Sequence, residues 1–307
     1  MIAALRLIAL AAVVAPLTGV DAPTYGPPQL DALITEGTLD EISGVAASRR
    51  VDDLYWVHND APRPATLVAL DGQGRVRGSV RIDGVRAVDW EDIASYTFDG
   101  KPWLLIGDIG DNAGVRKELE LLAIEEPPLN ADGAIAVTKP AWRLRFRFPD
   151  GAHDCEAMAV DTTTGEILLL TKRTPRPTLY RLPLGPGDGS VAIAERLLAL
   201  DSIPAPTADE RSARFPAARL GGSPTAMDID AAGRRVAVLT YRDIWIFTRK
   251  REENWAAAFA HRPLRLPLPP LVQAEALGFD RSGRRLRVSG ERLPAPWILF
   301  EEIRPGN

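Results

Sequence analysis

The chain has 307 residues, 46% of them apolar, enough to bury a full core in one large domain or two ordinary ones. Its 37 basic and 41 acidic residues leave a net charge of −4, which argues against a nucleic-acid surface, normally marked by a basic stripe. The single cysteine, Cys155, rules out an intrachain disulfide. It has acids beside it and no base, so it is expected to be a small buried side chain and not a thiolate nucleophile.

The first element, in residues 1–22, reads as a signal peptide: Arg6, a short apolar run, then Val20 and Ala22 at −3 and −1 of a cleavage point before Pro23. No later stretch approaches the roughly 18 apolar residues a spanning helix needs. Residues 23–307 are therefore expected to form one exported domain, periplasmic or extracellular, monomeric, and not inserted in a membrane once the signal is removed.

From residue 23 onward helical periodicity is scarce. Short apolar or alternating runs are broken by Gly, Pro, Asp and Asn, the pattern of an all-β chain. Five segments share one frame of strand, turn, strand and polar tip. In chain order they are GVAASRRVDDLYWVHND, DIASYTFDGKPWLLIGD, AMAVDTTTGEILLLTKR, AMDIDAAGRRVAVLTYR and ALGFDRSGRRLRVSGER. The residues just ahead of them, Ser43, Glu91, Glu156, Thr225 and Glu275, correspond to one another and are spaced by 48, 65, 69 and 50 residues. A repeat of this size predicts an all-β β-propeller of five blades. Six is the alternative count, if 190–222 conceals a further blade.

Each repeat continues into two more strand-like runs, except the last, which lacks an outer strand. LITEGTL at 33–39 is expected to supply it and close the ring, removing an exposed sheet edge. The strand-poor segment 201–223 reads equally as a lid carrying Arg211, Arg214 and Arg219 or as a solvated insertion.

In a propeller, the start of each innermost strand and the end of the next lie on one face of the ring. That geometry gathers scattered residues at one mouth. A ring of carboxylates repels itself unless a cation, bases or protons neutralise it. Oxygen donors suit Ca²⁺, with Mg²⁺ as the alternative. The expected ligands are Glu91, Glu156 and Asp108, with Asn59 and Asp60. Glu275 or His58 is the expected acid–base group. Lys172, Arg242, Arg292 and Tyr241 are expected to contact a small anionic molecule. Trp90 is expected to alternate away from the axis-facing Glu91. Each acid taken singly also fits a plain role, bonding backbone amides at a strand entrance.

WVHND, DWEDIA, IGDIGDN, HDCEAM, LLTKR, LTYR and QAEALGF occur in this order along the chain. Together they resemble an exported bacterial β-propeller family that shares the WVHND, DWEDIA, GDIGDN and TK elements. The resemblance implies the fold and export and leaves the reaction open. More distantly, the acidic mouth is similar to that of phytase-like esterases and gluconolactonase-type lactonases, which use divalent metals and usually have six blades. The expected function is therefore a metal-dependent hydrolase of phosphoesters or lactones. The alternative is a non-catalytic binding or scaffold propeller of the cell envelope with a structural ion, served by exposed aromatics such as Trp90 and Tyr241.

Overall fold

Runs rich in Val, Ile, Leu and aromatic residues, ended by Gly, Asp and Asn turns, pair here as antiparallel ladders. The DAAGRR and DRSGRR turns show the local cause. Gly233 and Gly283 take φ of 63° and 71°, a left-handed conformation that side chains rarely adopt. Asp230 and Asp280 meanwhile accept the amides of Arg234 (2.7 Å) and Arg284 (2.9 Å).

The computed structural model describes residues 23–60, 64–129, 136–174, 176–212, 214 and 219–303. The expected signal peptide, and residues 213 and 215–218 of the expected lid, lie outside the described residues. No described helix is long and apolar enough to cross a membrane.

After strand β1 (Gln29–Ile34), blade 1 is built from β2 (Ile42–Ala47), β3 (Leu54–Asn59), β4 (Thr66–Asp71) and β5 (Val76–Ile82). Blade 2 holds β6 (Trp90–Phe98), β7 (Lys101–Asp108), β8 (Leu119–Glu125) and, beyond the short β9 (Ala136–Thr138), β10 (Trp142–Arg147). Blade 3 holds β11 (Cys155–Asp161), β12 (Glu166–Thr171), β13 (Thr178–Pro183) and, beyond β14 (Ala192–Ile193), β15 (Glu195–Ala199). Helix α1 (Ala208–Arg211) precedes blade 4, which holds β16 (Pro224–Ile229), β17 (Arg235–Thr240), β18 (Asp243–Thr248) and, beyond helix α2 (Trp255–Ala260), β19 (Leu264–Pro267). Blade 5 holds β20 (Ala274–Phe279), β21 (Arg285–Gly290) and β22 (Ala295–Glu301), with β1 as its outer strand.

The ring thus has five blades, and its two ends pair in the last one, as the repeat predicts. The closing strand is Gln29–Ile34, however, and not 33–39. Residues 36–39 instead make a turn, in which the Leu39 amide donates to Glu36 O at 2.9 Å. Leu30 and Leu33 face solvent, so hydrophobic pattern alone misplaces this edge strand. Residues 190–222 add no blade; their described part forms β14, β15 and α1. Two short strands were not expected. β9 pairs parallel with β5 and β14 with β10, so each covers the outer edge of the preceding blade.

Five apolar clusters fill the five interfaces between blades. Near the axis they follow one rule. Val45, Ile93, Met158, Met227 and Leu277 occupy one matching position of the innermost strands, and the positions on either side of it are small or carry Asp. The preceding set is Gly44, Asp92, Ala157, Ala226 and Ala276; the following set is Ala46, Ala94, Ala159, Asp228 and Gly278. Ala157 and Ala159 pack against Met227 and Ile229 of the next blade, small against large, so the blades can approach closely.

The two aspartates in these sets tie blades together. Asp92 accepts the amides of Ile93 (2.9 Å), Met158 (2.8 Å) and Met227 (3.0 Å), spanning blades 2, 3 and 4. Asp228 accepts Ile229 (2.8 Å) and Phe279 (2.8 Å), joining blades 4 and 5. Asp92→Ala strands three buried amides and is expected to cost about 3–5 kcal/mol in urea unfolding. Asp92→Asn, which keeps one acceptor, is expected to cost less. A loss below about 1 kcal/mol for the alanine variant would show that the amides are satisfied otherwise.

Candidate functional site

The ring's entrance is built by a repeated irregularity. In each innermost strand the register with its neighbour shifts by one residue, between Ile42 and Gly44, Trp90 and Asp92, Cys155 and Ala157, Pro224 and Ala226, and Ala274 and Ala276. The unpaired residues are Ser43, Glu91, Glu156, Thr225 and Glu275, the five that correspond in sequence. A β-bulge bends its strand and re-aims a side chain. Five bulges therefore bring three glutamates and two hydroxyls together at one mouth.

The hydroxyls stitch blades. Ser43 Oγ donates to Glu91 O at 3.0 Å and lies 3.3 Å from Glu91 Oε2. Thr225 Oγ1 donates to Ala274 O at 2.7 Å. The glutamates converge on Lys172, at the end of β12. Its Nζ is 2.7 Å from Glu156 Oε2, 3.8 Å from Glu275 Oε1 and 5.2 Å from the centre of the Tyr241 ring. Tyr241 donates its hydroxyl to Glu275 Oε1 at 2.5 Å. Glu91 and Glu156 are joined side chain to side chain. Glu275 Oε2 is buried without a partner among the described residues.

All four ionisable groups are buried, with Glu156 only 2% and Lys172 5% exposed. Burial works against the Lys172 charge, but Glu156 and Glu275 outweigh it and raise its pKa well above the usual lysine value. Burial raises all three glutamates, Glu91 most strongly with added repulsion from Glu156 and Asp60. The Glu275 carboxyl is pushed up to about 8 by burial, against the pull of Lys172. One ammonium cannot neutralise three carboxylates, so burial and mutual repulsion both favour the protonated forms within the ring.

Beside the ring lies an acid trio. One carboxylate oxygen each from Asp60, Asp89 and Glu91 lies within 4.8 Å of the other two. Asp60 and Asp89 are hydrogen-bonded to each other, and burial raises the Asp89 pKa. The GDIGDN loop closes over this trio through Gly110, where any Cβ would overlap Glu91 Oε1 and the Asp89 carboxylate. Oxygen donors alone make up the set, which fits a hard cation such as Ca²⁺ or Mg²⁺, whose remaining positions water or substrate can fill.

Of the residues expected at the mouth, Glu91, Glu156, Glu275, Lys172, Tyr241 and Asp60 come together. Several others are engaged elsewhere. Asp108 accepts the amides of Val88 (2.9 Å) and Asp89 (3.3 Å) and pairs with Arg116 (2.7 Å), so it props the strand entrance and does not join the trio. Asn59 accepts the Glu41 amide (3.3 Å) and donates to Thr38 O (2.5 Å), fastening a loop. Arg242 binds Glu210 of α1 (2.6 Å) and Pro204 O (3.2 Å), which ties the described part of 201–223 to the end of β17. Arg292 is exposed and takes a φ of 71°.

Lys172 is not free to meet an anion, because the glutamates already hold it. His58 is buried edge-on to Trp90, 5.5 Å between ring centres, and burial lowers its pKa to about 4. Its Nε2 abuts Gly44, where a Cβ would stand 2.5 Å away. Trp90 turns from the mouth into the interface of blades 1 and 2, so it is no exposed platform. Cys155 is buried, and burial raises its thiol well above the usual range. Asp89 is not among the ligands expected from the sequence, and the part of Gly110 is not foreseen there. The available signal was the glycine two residues after Asp108, at the point where a loop must pass close to two acids.

No family model matches the chain, and no curated protein matches it. Similar solved structures include the PQQ-bound aldose sugar dehydrogenase of Streptomyces coelicolor, at 12% identity and TM-score 0.43, over 92% of this chain and 100% of that one. A luciferin-regenerating enzyme matches at 11% identity and TM-score 0.42, over 88% of this chain and 94% of that one. A nidogen/laminin complex matches at 13% identity and TM-score 0.41, over 81% and 72%. At these values the likenesses carry no weight for activity.

Proposed function

We propose that this propeller, exported as its leading segment suggests, binds a divalent cation at its mouth and hydrolyses an ester bond, in a phosphoester or a lactone. The observation that carries this reading is the convergence of the Asp60, Asp89 and Glu91 oxygens beside a buried glutamate ring. Ca²⁺ is the proposed ion and Mg²⁺ the alternative; bound there, it would polarise a substrate oxygen and lower the pKa of a bound water.

The chain's own groups supply the rest. Glu275, with one oxygen unpartnered and a pKa near the operating range, is the proton acceptor. Tyr241 and Lys172 fix its other oxygen, so that the free oxygen keeps one orientation. Lys172 serves as the counter-charge of the ring and not as an anion contact.

A second reading is favoured by the burial of Glu91, Glu156, Glu275 and Lys172, which suits a structural ion in a non-catalytic binding module. Turnover separates the two. Purified protein assayed with Ca²⁺, Mg²⁺ or Mn²⁺ against esters, phosphoesters and lactones is expected to hydrolyse at least one class. No turnover with any ion leaves the binding module.

Cation binding is tested by melting. Ca²⁺ at about 100 times its dissociation constant is expected to stabilise the fold by about 2.7 kcal/mol over the chelated protein. Asp60→Asn and Glu91→Gln are each expected to remove most of that gain. An unchanged midpoint with every divalent ion would eliminate the cation.

The Glu275 pKa gives a further expectation. A carboxyl raised from its usual value to about 8 binds its proton more tightly in the folded chain. Its contribution to stability is therefore greatest at low pH and declines as pH climbs from about 4.5 to about 8. Relative to the wild type, Glu275→Gln should grow more stable across that window in chelated protein, read as melting temperature against pH. A constant difference would refute the raised pKa.

A further inference from the structure

A cavity of about 530 Å³ lies on the mouth face over the interface of blades 2 and 3, where β8 begins and β10 ends. Its size is that of a small-molecule pocket, roughly 300–1,000 Å³. None of its lining residues belongs to the trio or the ring. The floor is apolar: Leu119 and Phe148 are buried, and Phe148 is held edge-on to Phe146 (5.6 Å between ring centres) and to His153 (5.3 Å). At the rim, Val115 and Ile193 are 71% and 56% exposed. Large apolar side chains left to water around an apolar recess mark a binding place.

The same walls carry cations: Arg116, Lys117 and Arg147, with His153 beside them. Arg116 is committed to Asp108 (2.7 Å) and Gly110 O (2.7 Å), so it adds little net charge. Lys117 and Arg147 form no ion pair with any described residue, and the two runs that build the cavity, 115–119 and 147–153, are described without a break. The acids within those runs are engaged elsewhere, Glu118 by Arg145 (3.1 Å) and Asp150 by His153 (3.0 Å) and Tyr180 (2.9 Å). Asp111 accepts the amides of Val115 (2.9 Å) and Arg116 (2.8 Å), which fixes the loop that presents Lys117. Two uncompensated cations above an apolar floor complement a molecule with a negative end and an apolar body.

We infer that this cavity binds a small organic anion, a carboxylate with an apolar body. The body packs on Leu119, Phe148 and Pro149, and the carboxylate meets Lys117 and Arg147. The site is separate from the proposed hydrolytic mouth, and binding there depends neither on a divalent cation nor on turnover.

The test uses the full mature chain in chelator, so that no divalent ion can draw a carboxylate to the mouth. 2-Naphthoate is the anionic probe and 2-naphthol the neutral one with the same body, and binding is read by calorimetry. 2-Naphthoate is expected to bind, and 2-naphthol to bind at least tenfold more weakly. Lys117→Glu combined with Arg147→Glu is expected to weaken 2-naphthoate binding at least tenfold. Lys101→Glu combined with Lys139→Glu, the same charge change at the opposite end of blade 2, is expected to leave it within twofold. Lys117→Glu alone, at an exposed loop position, serves should the first pair fail to fold. The inference is overturned by no binding of 2-naphthoate at millimolar concentration, by equal binding of 2-naphthol, or by wild-type binding in a folded variant reversed at Lys117. An equal loss in the Lys101 and Lys139 pair would reduce the effect to net charge and overturn it as well.

Discussion

The innermost strand of every blade has a neighbour on one side only. Five rows of backbone amides and carbonyls therefore face a narrow axis, out of reach of any sixth strand. Buried backbone groups left without partners are costly, and this constraint governs the centre of the molecule. Asp92 answers it for three blades and Asp228 for two. Each stands in a set whose other four members are Gly or Ala, so the space that a carboxylate needs is provided by its neighbours' lack of side chain. Burial pushes the Asp92 carboxyl up, while the amides of Met158, Met227 and Ile93 pull against it. Asp92 is thus held as a structural acceptor, whereas Glu91, one residue earlier, is turned to the mouth by the bulge. Two adjacent acids serve separate ends because the bulge lies between Trp90 and Asp92.

Much of this was legible from the sequence, and the limits are physical. The repeat in register revealed the ring and its five corresponding mouth positions, because one blade geometry imposes one pattern five times. The bulges could not be read, since an extra unpaired residue leaves the hydrophobic alternation looking merely shifted. Asp108 misled because a strand-end aspartate has the same local appearance whether it binds an ion or a backbone amide; only the position of Arg116 and the Val88 amide decides. The closing strand was displaced for a related reason. An edge strand with Leu30 and Leu33 exposed offers little contrast between its faces, and the buried Leu39 beyond the turn draws the apolar pattern past the strand's true end.

Were the proposed cation to bind the trio, it and protons would compete for the same carboxylates. Glu91 belongs to both groups, joined to Glu156 on one side and grouped with Asp60 and Asp89 on the other. Without a cation, a raised carboxyl pKa is how this much negative charge is tolerated in a buried place. A divalent ion at the trio would favour ionised Asp89 and Glu91, against the burial that raises their pKa values. Through Glu156 and Lys172 the change would reach Glu275, whose pKa burial raises and the same ammonium lowers. Lys172 is the pivot of this arrangement. Three glutamates from three blades share one fixed positive charge, so a change in the ionisation of any one alters how strongly Lys172 holds the other two.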